Sequence, residues 1–128
     1  MDLELRGRTA VVTGCSVGIG REIARVLAAE GVLALVIARR GDLLKILQDE
    51  IEAAGWARHQ ALAIDPADRG AVARVHDEAL ARLGHVDVLV NNAGGARPTA
   101  IDAPDGVWDE SFAINFTAVR TLTQALLP

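Results

Sequence analysis

The 128-residue sequence contains no tyrosine, one lysine (Lys45) and one cysteine (Cys15), and only 3% of it is aromatic. Each shortage closes off chemistry. No phenol is present to act as acid or base, and the single amine belongs to an early helical stretch. A lone cysteine forms no internal disulfide. There is no Gly-x-Ser-x-Gly elbow, so a hydrolase built on an α/β sheet would lack its nucleophile. His59, His76 and His85 have no cysteine or carboxylate at metal-ligand spacing, and no metal site is expected. The longest apolar run, residues 32–38, has strand length and falls far short of the ~20 residues of a membrane helix. Met1-Asp2-Leu3-Glu4 lacks the basic-then-apolar start of a signal peptide. With a formal net charge of −4 and no basic cluster beyond Arg39-Arg40, nucleic acid is not an expected partner. The expectation is a cytoplasmic protein with no membrane partner.

What is present is apolar residue: 51% of the chain is hydrophobic, with a mean hydropathy of +0.25. A sheet covered on both faces needs that composition. Residues 9–12 read as a buried strand, followed by a glycine-rich turn and a helix whose apolar face is Ile19, Ile23, Val26 and Leu27. Gly31 is a C-cap, residues 32–38 a second strand, and Asp42 a cap for a helix burying Leu43, Leu44, Leu47, Ile51 and Ala54. A third strand spans 61–64 and stops at Asp65-Pro66. Val72, Val75, Ala79, Leu80 and Leu83 mark a third helix, closed by Gly84. The fourth strand, 86–90, ends in Asn91-Asn92-Ala93-Gly94. A polar loop over 95–103 then leads to a helix from Asp105 with an apolar face of Phe112, Phe116, Val119, Leu122 and Leu126. Trp56 and Trp108 are expected as packing anchors.

Strands and helices alternating with short, right-handed connections give a doubly wound parallel α/β sheet of Rossmann type, in one domain over residues 1–128. The expected strand order is 3-2-1-4, with no fifth strand, and a crevice opens where the winding reverses between strands 1 and 4. Both glycine-bearing turns fall there. In the first, Gly14-Cys15-Ser16-Val17-Gly18-Ile19-Gly20 has Gly-x-x-x-Gly-x-Gly spacing. The glycines let backbone approach a phosphate, and the N–H groups at the helix start favour an anion. A Walker loop is excluded, because Arg21 and Glu22 stand where Lys and Ser or Thr would be needed. A ligand-free turn remains the alternative. Cys15 is either a small filler or a thiol made more acidic by the helix N-terminus.

Thr13-Gly14-x-x-x-Gly18-Ile19-Gly20, Asp65 at the end of strand 3, Asn91-Asn92-Ala93-Gly94 after strand 4 and Asn115 in the next helix together resemble the short-chain dehydrogenase/reductase family, over its N-terminal portion. The resemblance implies cofactor contacts from Gly14, Ser16, Val17, Gly18, Ile19, Gly20, Arg39, Asp65, Asn91, Ala93 and Gly94, with Asn115 as a catalytic residue at a local helix distortion. Plainer readings stand beside these: Asp65-Pro66 as a helix N-cap, Asn91 and Asn92 as turn formers, Asn115 as a solvent-facing polar residue, and Arg39-Arg40 as solvated charges. Ala38 occupies the position where a carboxylate would bind the adenosine ribose, and Arg39 follows it. NADP(H) is therefore expected over NAD(H), although neither Ser16 nor Val17 is basic.

Family chemistry is hydride transfer between nicotinamide and an alcohol or carbonyl carbon, with Tyr, Lys and Ser supplied further along the chain. This sequence ends before those motifs, and Ser111 does not match the family serine. Two expectations follow. One is the cofactor-binding part of an oxidoreductase, inactive by itself and a homo-oligomer when complete; the other is a complete, non-catalytic NADP(H)-binding or interaction module.

Overall fold

The computed structural model describes residues 2–96 and 98–128, so Met1 of the N-terminal motif and Arg97 of the 95–103 loop lie outside the described residues. The elements are β1 (Thr9–Thr13), α1 (Gly18–Ala29), β2 (Leu33–Ala38), α2 (Gly41–Ala53), β3 (Gln60–Ala63), α3 (Ala71–Leu83), β4 (Val88–Val90), α4 (Asp105–Phe112), a π-helical turn (Ala113–Thr117) and α5 (Ala118–Leu126). All strand pairs are parallel and the order is β3-β2-β1-β4, as the alternation predicts. Along β1, Ala10 and Val12 pack in the core layer of α1 and α2, and Val11 packs in that of α3 and α5. A strand buried on both faces reads as a continuous apolar run for this reason.

Element edges depart from the sequence reading where side chains replace the ladder. β4 begins at Val88 and not at residue 86, because the Asp87 carboxylate takes the Thr9 N–H (2.9 Å) and the Thr9 hydroxyl donates to the His85 carbonyl (2.6 Å). β2 starts one residue later than expected, and β3 is shifted one residue toward the N-terminus. Asp42 lies inside the first turn of α2 and does not cap it; the N-cap is Arg40. Nor is Asp65 a helix cap, since α3 starts only at Ala71, after Gly70 at φ +77°. Asp65 instead forms a local turn, its Oδ1 accepting the Ala67 N–H at 2.9 Å.

Helix faces depart further from the expected pattern. The buried stripe of α1 is Gly20, Ala24 and Ala28, while Ile19 is 75% exposed and Val26 half-exposed. The helix approaches the sheet so closely that only small side chains fit between, and Ile23 and Leu27 pack at its flank. In the last helix the π turn rotates the face: Ala118 and Leu122 are buried, whereas Phe112 and Phe116 are exposed. Trp56 packs on the core, but Trp108 is 48% exposed and is no anchor. No described helix is long and apolar enough to cross a membrane, and no described group of side chains could hold a metal ion.

His59 is buried just ahead of β3 and joins three elements. Its Nδ1 accepts the Ala34 N–H of β2 (3.1 Å), so the proton sits on Nε2, which donates to the Ala24 carbonyl of α1 (2.9 Å). Burial lowers its pKa below the ordinary 6.5. As pH falls through 6.5 the unfolded chain takes up a proton that the folded chain refuses, so stability declines with acidification until the lowered folded value is passed. His59→Gln is expected to flatten the stability profile between about pH 7 and 5 and to cost roughly 2–4 kcal/mol at pH 7, read by urea unfolding at each pH.

Candidate functional site

The C-terminal ends of β1 and β4 lie side by side, with Val12 opposite Val90, and the two glycine-bearing turns leave the sheet together. Thr13, almost fully buried, ties them: its Oγ1 accepts the N–H groups of Asn92 (3.1 Å) and Ala93 (2.9 Å). Asn92 returns the link by donating from Nδ2 to the Gly14 carbonyl at 3.0 Å. The space between is filled. A Cβ on Gly14, which sits at φ +72°, would lie 2.8 Å from Asn92 Nδ2 and 2.9 Å from the Ala93 backbone. One on Gly20 would overlap the Gly14 carbonyl oxygen and Asn92 Nδ2. Gly18 differs: at φ +65° it adopts the left-handed conformation, and a Cβ there would meet nothing within 4 Å, so its side faces open space.

That open side carries the uncapped start of α1. Val17, Gly18 and Ile19 are exposed, Ser16 is half-buried, and the N-cap Val17 contributes no side-chain hydrogen bond to the start of α1. The first N–H groups of α1 therefore remain available beside a turn whose glycines keep Cβ atoms away, a donor set that fits the pyrophosphate of a dinucleotide. Cys15 takes no part. Its thiol is buried, donates to the Val12 carbonyl, and is pushed up to about 12 by desolvation, in keeping with the small-filler reading and not with an acidified thiol.

Asn115 lies in the π turn and reaches back to the loop after β4. Its Oδ1 accepts the Gly95 N–H (3.0 Å), and its Nδ2 donates to the Gly95 carbonyl (2.7 Å) and the Ser111 carbonyl (3.0 Å). A Cβ on Gly94 would come within 2.8 Å of Asn115 Oδ1. The amide thus fastens the loop to the helix and does not merely face solvent. It cannot itself act as acid or base. The Asn91 side chain donates to Thr123 Oγ1 of α5 (3.1 Å).

Arg39, exposed at the end of β2, lines a cleft of about 620 Å³ together with Gly95, Ile101, Val107, Trp108 and Ser111. It has no ion-pair partner among the described residues, whereas Arg40 is paired with Asp42. Asp65 stands at the same end of the sheet beyond β2, half-buried, with one carboxylate oxygen committed to its own turn. The structure therefore links Gly14 and Ala93 by hydrogen bonds through Thr13 and Asn92, with Gly20 packed against that link and Gly94 against Asn115, while Arg39 and Asp65 form no hydrogen bond with these residues among the described ones. Thr13, Asn92 and Gly95 take part although they are absent from the contacts expected from sequence. The signal for Thr13 was a hydroxyl in the last position of an otherwise apolar strand.

The family described as short chain dehydrogenase matches residues 8–128. A short chain dehydrogenase of Pseudocercospora fijiensis is 41% identical over 128 residues, covering 98% of this chain and 41% of the relative. Among solved structures, L-sorbose reductase from Gluconobacter frateurii complexed with NADPH and L-sorbose is similar at TM-score 0.91 and 33% identity, over 98% of this chain and 48% of that one. A 7α-hydroxysteroid dehydrogenase complexed with NADH and 7-oxo glycochenodeoxycholic acid is similar at TM-score 0.92 and 33% identity, over 98% and 49%. The chain spans half or less of the length of these relatives.

Proposed function

Because the chain belongs to the short-chain dehydrogenase/reductase family, we propose that residues 1–128 form one dinucleotide-binding unit of an NAD(P)-dependent oxidoreductase acting on a small alcohol or carbonyl substrate. The observation that carries this reading is the closed Gly14–Gly20 turn, locked by Thr13 and Asn92, with the uncapped start of α1 facing outward. When bound, the nicotinamide supplies or accepts the hydride exchanged with the substrate carbon. In this reading Ser16, Val17, Gly18 and Ile19 present backbone to the pyrophosphate. Asp65 accepts from the adenine amine through its uncommitted oxygen, and the backbone of Asn91, Ala93 and Gly94 meets the ribose. Asn115 holds the Gly95 loop in place. Self-association is the reading's further consequence: among the described residues no strand pairs with the outer edge of β4, and Phe112 and Phe116 are exposed. No observation favours the alternative of a non-catalytic module.

The relatives include one bound to NADPH and one bound to NADH, so the preference rests on this chain's own residues. Ala38 leaves no carboxylate at the end of β2, and the Arg39 guanidinium beside it is unpaired among the described residues, free for a charge-assisted pair with a 2′-phosphate. Fluorescence titration is expected to give tighter binding of NADPH than of NADH. Arg39→Ala should remove most of that difference, about 1–3 kcal/mol or roughly 5- to 150-fold. NADH binding as well as NADPH would overturn the preference. The same 128 residues, without a tyrosine to protonate an alkoxide, should show no carbonyl-dependent NADPH oxidation, since a positioned acid is typically worth ~10²–10⁴-fold.

A further inference from the structure

The two arginines that follow β2 differ in what they already hold. Arg39 is unpaired among the described residues and lines the cleft. The guanidinium of Arg40, the N-cap residue of α2, is drawn along the helix to Asp42, with Nη2 2.7 Å from Oδ2 and Nε 3.3 Å from Oδ1. This is a two-point pair between a planar donor fork and a carboxylate, the geometry an arginine would otherwise offer a phosphate. The hydrogen bonds from Arg40 hold the Asp42 carboxyl below its ordinary range, and the Leu43 and Asp42 N–H groups at the helix start act in the same direction. Asp42 therefore fills, from within the chain, the position beside Arg40 and the first turn of α2 that an external anion would seek.

We propose that Asp42 is a specificity-determining residue of the dinucleotide site: an internal counter-anion that occupies Arg40, leaves Arg39 as the unpaired member of the two for the 2′-phosphate, and so limits the preference for NADP(H) over NAD(H). The inference rests on the proposed role of Arg39. Its physical content is twofold. An arriving phosphate meets a like charge at Asp42, and it gains nothing from Arg40 unless that pair opens. Both effects act on the 2′-phosphate alone, because the pyrophosphate is held at the Gly14–Gly20 turn after β1, whereas the first turn of α2 follows β2, and NADH lacks the 2′ group.

Asp42→Asn removes the charge at nearly constant size and keeps an acceptor in the first turn of the helix. With the exposed pair released, the NADPH dissociation constant is expected to fall about 3- to 10-fold at low salt while that of NADH changes less than about twofold, and the gain should shrink at high ionic strength. Adding Arg40→Ala to Asp42→Asn should abolish the gain. The same order should hold for adenosine 2′,5′-bisphosphate against adenosine 5′-monophosphate, which measures the adenosine end without the nicotinamide. A NADPH-to-NADH ratio unchanged by Asp42→Asn, or a gain that persists without Arg40, overturns the inference. If Arg39→Ala collapses the ratio and Asp42→Asn does not move it, the role of Arg39 stands and that of Asp42 falls. If Arg39→Ala has no effect, both fall.

Discussion

Gly20→Ala is expected to abolish dinucleotide binding and to destabilise the fold by roughly 3 kcal/mol or more, the upper end for overpacking a site that cannot relax. The added methyl would overlap the Gly14 carbonyl oxygen and Asn92 Nδ2, and neither can retreat. The carbonyl is backbone and already accepts from Asn92 at 3.0 Å, and Asn92 is in turn held by Thr13. Opening the turn to admit one carbon would separate β1's turn from β4's. Gly18→Val is the matched comparison. Its Cβ meets no described atom, so the fold should lose only about 1–2 kcal/mol for a non-glycine residue at positive φ, yet NADPH and NADH should weaken together because the bulk projects where phosphate would lie. Chemical unfolding and titration of both variants separate the two causes. Gly18→Val with full affinity would show that the turn is not the cradle.

The second large effect is expected at Thr13. Its hydroxyl is the acceptor for two backbone N–H groups, those of Asn92 and Ala93. Thr13→Val preserves shape but leaves the Ala93 N–H without a partner beside a buried side chain, at roughly 1–3 kcal/mol, while the Asn92 N–H keeps only the Val90 carbonyl (3.1 Å). Thr13→Ser keeps the oxygen and should recover most of the loss. Because the strained segment is the turn that presents Ala93 and Gly94, NADPH affinity should fall by about tenfold or more in the valine variant, the equivalent of ~1.4 kcal/mol carried into the site. Urea unfolding and titration of the three proteins check it. Equal stability of the valine and serine variants would mean that the Ala93 N–H finds another acceptor.

Much of the architecture is legible in the order of residues. The apolar runs are continuous because β1 and β2 are buried on both faces, and their alternation with helical segments leaves the order β3-β2-β1-β4 as the topology that right-handed crossovers produce. The glycine spacing after β1 and the Asn91–Gly94 segment after β4 mark the crevice, since the winding reverses between these two neighbouring parallel strands. Asn115 is legible for a different reason, its place relative to a family pattern, and the π turn around it is the helix distortion that pattern implies.

Other features depend on distances that the order of residues does not encode. Periodicity identifies a helix's apolar residues but not how near its axis lies to the sheet. The close approach of α1 buries Gly20, Ala24 and Ala28 and leaves Ile19 outside. A π turn shifts the phase of a helix by a fraction of a turn, so Phe112 and Phe116 fall outside a face that a regular helix would have given them. Two adjacent arginines look alike in sequence, and only the placement of the Asp42 carboxylate in the first turn of α2 pairs Arg40, while Arg39 has no ion-pair partner among the described residues. His59 shows the same division: its neighbours in sequence carry no signal, and its two partners, Ala24 and Ala34, lie 35 and 25 residues away. Which segments are strands and helices, their parallel winding and the end of the sheet that carries the site were thus written in the chain, because these follow from local periodicity and chain chirality. Which glycine is locked and which is open, which arginine is free and which histidine is buried came from packing, because those depend on contacts between segments that only the folded chain brings within a few ångströms.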